Sequence, residues 1–568
     1  MKILLHPDTE NSRKLCYIIN KYFKTNCAKI LFTCNKIKLK YYDNYYNNFI
    51  SEETEYIKFI EPKLLYNKDN LIITDKNIPN NISNNIIRFN INLIEDKTDD
   101  EIIYICNKYL KINDYIEKYN DLGIVITTHG YNGVYIKQAI ECYLKFLPNA
   151  YIIIYINESE DEITLNLKNE YPNIKFIYIE NQKKSGGLTN TWNKGIDLCI
   201  KNNCKIIILS NDDILFGNSI YHIIDEAYNC SDNKYFGPLT NNPGPAEQNK
   251  KNQYSLTSKN TNNYPCKDKN NYYNINGFFM VFPLNVLKNN MYNKKYYFNP
   301  KFPFGGNETE WFDRFKGIPV IVPKTFIYHY KLAKWKNKIP NNYCIYTINF
   351  NNYEGNSVLL KNNTDLDCLY FLNNLNFEKY SPIYKCIQKG VIPFYINLKN
   401  KNGKLIQRTI KTNPTKYLPH NYTKTIYIDG NLELTKKIYN SDINNYLKKY
   451  DLICFHHLES NTFLEEAKTV IKLKLEKVEN VNKILDLAKK DNLLNIKGLT
   501  ETNILIRNHK NIIFFSNEWE KLINICIRDQ ISFDYLLNKH KVNYNRLKYN
   551  QKPVIIHNHI IPSNRKII

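Results

Sequence analysis

Two aspartates stand side by side at the end of an apolar run. The stretch Ile207-Ile208-Leu209-Ser210-Asn211-Asp212-Asp213 turns abruptly polar, and Ile214-Leu215-Phe216 resumes at once. Such a run reads as a buried strand. Acidic residues at the C-terminal end of a buried parallel strand sit where open α/β sheets bind ligands. Adjacent carboxylates repel each other unless a cation neutralises them. Their hard oxygens suit Mg2+ or Mn2+, ions that usually also take phosphate oxygens from a substrate. The same residues serve equally as an Asx turn or a helix N-cap. A second acidic pair lies in Asn307-Glu308-Thr309-Glu310, ahead of Trp311-Phe312-Asp313-Arg314. Carboxylates at a helix N-terminus are favoured by its dipole, which alone accounts for them. A third acidic turn ends Thr425-Ile426-Tyr427-Ile428-Asp429-Gly430-Asn431. The glycine allows a sharp bend, so Asp429 and Asn431 can face one ion; Asp-Gly is also a hairpin signal. His329 closes an apolar segment, and His557 and His559 follow another, with a spacing that puts both on one strand face.

The elements that must carry these groups follow from the rhythm of the chain. Asp121–His129, Tyr151–Ile156 and Ile174–Ile179 read as strands, with helical spacing over 133–146 and a helix opening after Gly186-Gly187. Strand, helix, strand in this order means βαβ units and a parallel sheet. A second series begins at Tyr343 and runs through Cys368–Phe371 and Thr425–Ile428, after a polar segment, 336–342, that contains Pro340. Ahead of both, residues 1–115 alternate short apolar runs (Lys2–Leu5, Ile30–Phe32, Leu71–Thr74, Ile86–Asn90) with a helical stretch at 13–23. That pattern is a small α/β unit with no assignable role. The fold class is therefore α/β and multidomain: 1–115, 116–341 and 342–568.

Bulk properties exclude some classes. The 568 residues carry a formal charge of +23. The lysines are spread among Asn, Ile and Tyr, as in an AT-rich genome such as a protist's or a large DNA virus's, so the charge does not mark a nucleic-acid partner. The 14 cysteines show no regular spacing and read as reduced core thiols. No run approaches the length of a membrane span, and the start of the chain reads as a first strand, not a signal peptide. A cytoplasmic location, or a viral factory, is expected.

The order of motifs over about 118–340 resembles family 2 glycosyltransferases of the GT-A fold. It comprises the Thr127-Thr128 strand end, Asn157-Glu158-Ser159, Gly186-Gly187 followed by Asn193 and Gly195, Asn211-Asp212-Asp213, and Asn276-Gly277-Phe278. Asn307-Glu308-x-Glu310-x3-Arg314 and a strand ending in His329 complete it. The resemblance implies that Thr127, Thr128, Glu158, Gly187, Asn193 and Asp212 bind the nucleotide sugar. It puts Asp213 and His329 on a Mn2+ or Mg2+ ion and makes Glu308 the general base, with Glu310 holding the acceptor or exchanging roles with it. The sequence departs from the family where Ile156 or Asn157 replaces an aspartate and where Trp192 replaces an arginine. Residues 343–545 resemble the mucilage-related (TOD/MUCI-type) glycosyltransferase-like domain. They carry Lys416-x-x-Pro419-His420, Ile428-Asp429-Gly430-Asn431 and Arg528-Asp529-Gln530-x-Ser532-Phe533. By that resemblance Asp429 and Asn431 bind diphosphate or metal, and Arg528 and Asp529 line a donor or acceptor pocket; an Arg528–Asp529 ion pair is the structural alternative.

Together these imply two GT-A-like modules in tandem. The chain is expected to be a bifunctional, metal-dependent glycosyltransferase using a UDP- or GDP-sugar, acting on a glycan or protein, with inversion in the first module. A nucleotidyltransferase and a glycan-binding protein with an inactive second module are the alternatives. The two sites draw on separate residues, so a fragment ending near Lys336 is expected to fold alone.

Overall fold

A computed structural model describes residues 119–128, 133–158, 162–181, 183–241, 275–330, 343–351, 358–361, 366–377, 381–397, 402–419, 422–435, 437–457, 462–548 and 551. It also describes six strands outside these ranges, at 2–6, 30–32, 70–74, 86–88, 264–265 and 554–556. The chain divides into two units, Met1–Tyr119 and Asn120–Ile568. In the first, β1 (Lys2–His6), β2 (Ile30–Phe32), β3 (Asn70–Thr74) and β4 (Ile86–Arg88) form a parallel sheet in the order β2-β1-β3-β4. These are the four apolar runs of the sequence; the helix expected at 13–23 lies outside the described residues, as do the 336–342 segment, His420, His557 and His559.

The second unit begins with nine strands: β5 (Leu122–Thr128), β6 (Tyr151–Asn157), β7 (Lys175–Ile179), β8 (Ile206–Asn211), β9 (Ile214–Phe216), β10 (Lys234–Thr240), β11 (Tyr264–Pro265), β12 (Phe279–Pro283) and β13 (Ile318–His329). They form one sheet, β11-β13-β10-β12-β8-β5-β6-β7, with β9 paired to β13. β5 is buried along its whole length, which explains its unbroken apolar run: a parallel strand covered on both faces has no polar side to alternate with. The Gly187–Lys201 helix lies across it so closely that a Cβ on Gly195 would sit 2.4 Å from Val125.

A third sheet follows. It contains β14 (Tyr343–Asn349), β15 (Asp367–Leu372), β16 (Ile392–Tyr395), β17 (Lys424–Ile428), β19 (Leu452–His456), β20 (Thr500–Asn508) and β21 (Tyr544–Leu547), in the order β16-β15-β14-β17-β20-β19-β21. β18 (Leu432–Leu434) pairs instead with β22 (Val554–Ile556), so Asp429-Gly430 does not close a β17–β18 hairpin. With the short β9 and β11 set aside, the two large sheets share one topology. Numbered along the chain, the seven strands of each lie in the order 3-2-1-4-6-5-7. In both, the sixth strand (β12 or β20) runs antiparallel to its neighbours, and the other pairs are parallel. The tandem α/β arrangement expected from the motifs is thus present as a topological duplication.

The duplicates are packed together. From the Gly133–Phe146 helix of the first, Gln138 donates its amide to the Tyr395 carbonyl (2.8 Å) and accepts from the Tyr395 N–H (2.7 Å). Tyr330 donates its hydroxyl to the Pro393 carbonyl (2.6 Å). The rings of Tyr135 and Tyr330 lie 5.6 and 5.3 Å from Phe394. Asn397 donates to the Glu141 carboxylate at 2.5 Å.

Candidate active site

In the first large sheet the chain leaves β5 towards β6 and β7, then returns to the other flank at β8. The crevice beyond the C-terminal ends of β5 and β8 is the topological switch point, where such sheets bind ligands. Thr127 and Thr128 end β5, Asn157 and Glu158 end β6, and Asp212-Asp213 follow β8. The Thr128 hydroxyl hydrogen-bonds the Asp212 carboxylate, and Asn157 donates to the Thr128 carbonyl at 3.3 Å. The buried Asn157 Oδ1 has no hydrogen-bond partner among the described residues. Glu158 holds a left-handed backbone, φ 47°, with its side chain exposed, a conformation uncommon for a residue other than glycine.

Asp213 is buried, and the chain reverses after it into β9, which pairs antiparallel with the last residues of β13: Ile214 opposite His329. That register brings His329 Nε2 to 3.3 Å from Asp213 Oδ1. Burial, and then the neighbouring Asp213 charge, push the Asp212 carboxyl up to about 7, against the Thr128 hydrogen bond. The His329 ring stacks on Phe278, centroids 4.6 Å apart and 13° from parallel. Phe278 in turn accepts from the Asn211 N–H at 2.8 Å. Next to it, Gly277 leaves room for Glu308: a Cβ there would sit 3.3 Å from the Glu308 carboxyl carbon and 3.3 Å from the Trp192 ring. Asp213, His329, Phe278, Gly277 and Glu308 therefore form a continuous line of contacts along one rim of the sheet.

The two glutamates are not equivalent. Arg314, one turn on, donates Nε (2.9 Å) and Nη2 (3.3 Å) to the two oxygens of Glu310, and Nη2 also reaches the Tyr297 carbonyl at 3.0 Å. The Glu308 carboxylate has no ion pair or side-chain hydrogen bond among the described residues. Beside them an open hollow of about 480 Å³ is lined by Phe302, Gly306, Thr309, Glu310, Asp313 and Arg314, with Phe302 40% exposed.

Gly187 and Asn193 both meet the 297–307 loop. A Cβ on Gly187 would lie 2.3 Å from the Pro303 carbonyl oxygen. The Asn193 amide is taken up by backbone: it donates to Phe298 O and accepts from the N–H groups of Tyr297 and Phe298, each at 2.9 Å. Thr189 accepts from Asn307 at 3.1 Å. The glycine-led helix thus clamps the 297–307 loop and fixes the start of the Asn307–Arg314 helix.

In the second large sheet Asp429 follows the fourth strand, as Asp212 does in the first. Tyr427 donates its hydroxyl to it, and the Lys411 ammonium stands 3.8 Å away. Asp529 is buried at the start of the Asp529–Lys539 helix, between the sixth and seventh strands, where Glu308 sits in the first sheet. Its partners are Lys411 (2.6 Å), Arg408 (3.3 Å) and the Thr502 hydroxyl (2.7 Å). Burial opposes its charge, but Arg408 and Lys411 outweigh that and hold the carboxyl well below the usual range. The alternative of an Arg528–Asp529 pair is not what forms: Arg528 reaches Gln530 (3.3 Å) and Glu466 (3.8 Å). Asn431 is buried beside the same turn. The sequence reading missed Lys411, Arg408 and Thr502.

Among the described residues, no cluster of three His, Cys, Asp or Glu side chains is arranged to hold a metal. Asp213 and His329, with Asp212 adjacent, supply an oxygen–nitrogen donor set that fits Mn2+ or Mg2+ if substrate oxygens and water complete the shell. The nine described cysteines are all free, and eight are buried. No described helix is long and apolar enough to cross a membrane.

No protein-family profile and no curated protein matches the chain. Solved structures similar to it include GalNAc-T7 with UDP, GalNAc and Mn2+, at 13% identity over 37% of this chain and 43% of that one, TM-score 0.28. S. aureus TarS 1-349 matches at 14% identity over 38% and 62%, TM-score 0.28. Its complex with UDP matches at 13% over 37% and 60%, TM-score 0.27. The chain spans less than two thirds of each.

Proposed function

We propose that residues 116–341 transfer a sugar from a nucleotide diphosphate, UDP or GDP, to a glycan or protein hydroxyl, and that 342–568 form a second module of the same class. The observation that carries this reading is the convergence of three groups on one rim: the Asp212-Asp213 pair, His329 against Asp213, and the uncommitted Glu308. Asp213 and His329 are the residues that would hold Mn2+ or Mg2+; when bound, the ion supplies positive charge to the diphosphate leaving group. Thr127, Thr128 and Glu158 line the nucleotide side of the crevice. Glu308 accepts the proton of the acceptor hydroxyl as its oxygen bonds to the anomeric carbon and the carbon–diphosphate bond breaks. Attack from the face opposite the leaving group inverts the centre. Glu310, neutralised by Arg314, serves as anchor to the helix that carries the base. The aromatic-edged hollow beside it suits an acceptor sugar.

The test is a panel of UDP- and GDP-sugars incubated with the full chain and Mn2+, followed by release of the nucleoside diphosphate. One donor should be turned over with Mn2+ or Mg2+ and not with excess chelator. Turnover that is equal with chelator, or absent for every donor with and without acceptor glycans, would sink the reading.

A further inference from the structure

We propose that the second module carries its own cation: the Lys411 ammonium neutralises the acidic end of its fourth strand, and the Asp429 site works with no metal. The inference rests on the tandem reading above. The two strand ends are topological equivalents, yet their surroundings differ. In the first, the side chain facing Asp213 is an imidazole at 3.3 Å, which ligates metals when neutral. In the second, an ammonium lies between the two carboxylates, 2.6 Å from Asp529 and 3.8 Å from Asp429.

That ammonium is fixed in place. Lys411 is 1% exposed, donates to the Thr502 hydroxyl at 3.0 Å, and lies 4.9 Å from the Tyr427 ring centroid. Its carbonyl accepts from Arg507 at 2.7 Å, so the main chain is held as well. Lys411 and Arg408 balance Asp429 and Asp529 charge for charge. A divalent ion on Asp429 would add two positive charges a few ångströms from a buried ammonium that cannot swing out to water, and like charges at that distance disfavour the bound state. With its charge answered from behind, Asp429 keeps its partly exposed face as a hydrogen-bond acceptor for whatever occupies the crevice.

The experiment is a Mn2+ titration of the full chain, read by the electron paramagnetic resonance of free Mn2+, with folding of each variant checked by its melting transition. We expect one tight site per wild-type chain, lost in Asp213→Asn and retained in Asp429→Asn, and a second site gained in Lys411→Met. A wild-type site that disappears in Asp429→Asn overturns the proposal, as does a folded Lys411→Met protein that takes up no additional Mn2+. Should Lys411→Met fail to fold, the Asp429→Asn comparison decides alone, since that side chain is partly exposed. No Mn2+ on the wild type, with a site gained in Lys411→Met, would remove the first module's metal and uphold the second module's lysine.

Discussion

Glu308 and Glu310 are two residues apart on one short helix, and a single guanidinium separates their roles. Arg314 directs two donors at Glu310, so both of its carboxylate oxygens are already engaged, while those of Glu308 have no such partner among the described residues. Glu308→Gln should therefore cut transfer by about 10²–10⁴-fold, the usual contribution of a general base, with donor affinity unchanged by calorimetry. Glu310→Gln should act on stability, by about 1–3 kcal/mol for weakened charge-assisted bonds, seen as a lower denaturation midpoint with turnover per folded molecule largely kept. If Glu310→Gln abolishes turnover and Glu308→Gln does not, the assignment is reversed. The Glu310–Arg314 pair was legible in the sequence, because i and i+4 are helix neighbours. Lys411 was not: in a chain with 78 Lys and Arg residues nothing local distinguishes a buried lysine from a solvated one. Its role exists only once Asp429, Asp529 and Thr502, up to 118 positions further on, are folded around it.

At the scale of elements, the apolar runs foretold the strands well, since a parallel strand buried on both faces must be apolar throughout. Leu122–Thr128 and the Gly133–Phe146 helix fall where the pattern put them. Pairing was not legible. That His329 meets Asp213 depends on β9 lying against the end of β13, a register no local pattern encodes. The glycine-led helix has a structural task that the motif order did not announce: Gly187 and Asn193, expected at the nucleotide, hold the 297–307 loop. Gly187→Ala thus becomes a test of positioning. The residue has φ 73° and faces a carbonyl oxygen, so an added methyl must push the Pro303 loop away. The variant should lose transfer by at least tenfold through misplacement of Glu308, while Mn2+ affinity at Asp213 stays near wild type. Loss of Mn2+ binding together with transfer would place Gly187 at the nucleotide after all.

For the whole molecule, separate sites do not mean separate folding. The expectation that a fragment ending near Lys336 stands alone meets an interface in which Gln138, Glu141, Tyr135 and Tyr330 are all buried against the second module. Such a fragment would expose two tyrosine rings and leave a buried amide without its partners. It should unfold at lower denaturant than the full chain. Gln138→Ala in the full chain should cost about 2–4 kcal/mol, since it strands a backbone donor and an acceptor of Tyr395 away from water, measurable as a shifted denaturation midpoint. Equal midpoints for fragment and full chain would restore independent folding.

β16 is the last strand of its sheet, and its three guards have a common effect. Pro393 has no N–H to offer, Tyr330 occupies the Pro393 carbonyl, and the Gln138 side chain imitates the peptide group of a further strand at Tyr395. An unguarded edge is a template on which a strand from another chain can add. The contact between modules is thereby also a solubility device: any chain whose modules come apart, by loss of the first module or by thermal opening, presents an adhesive border to its neighbours. Edge-to-edge aggregation, not loss of chemistry, would then be the first symptom of their separation.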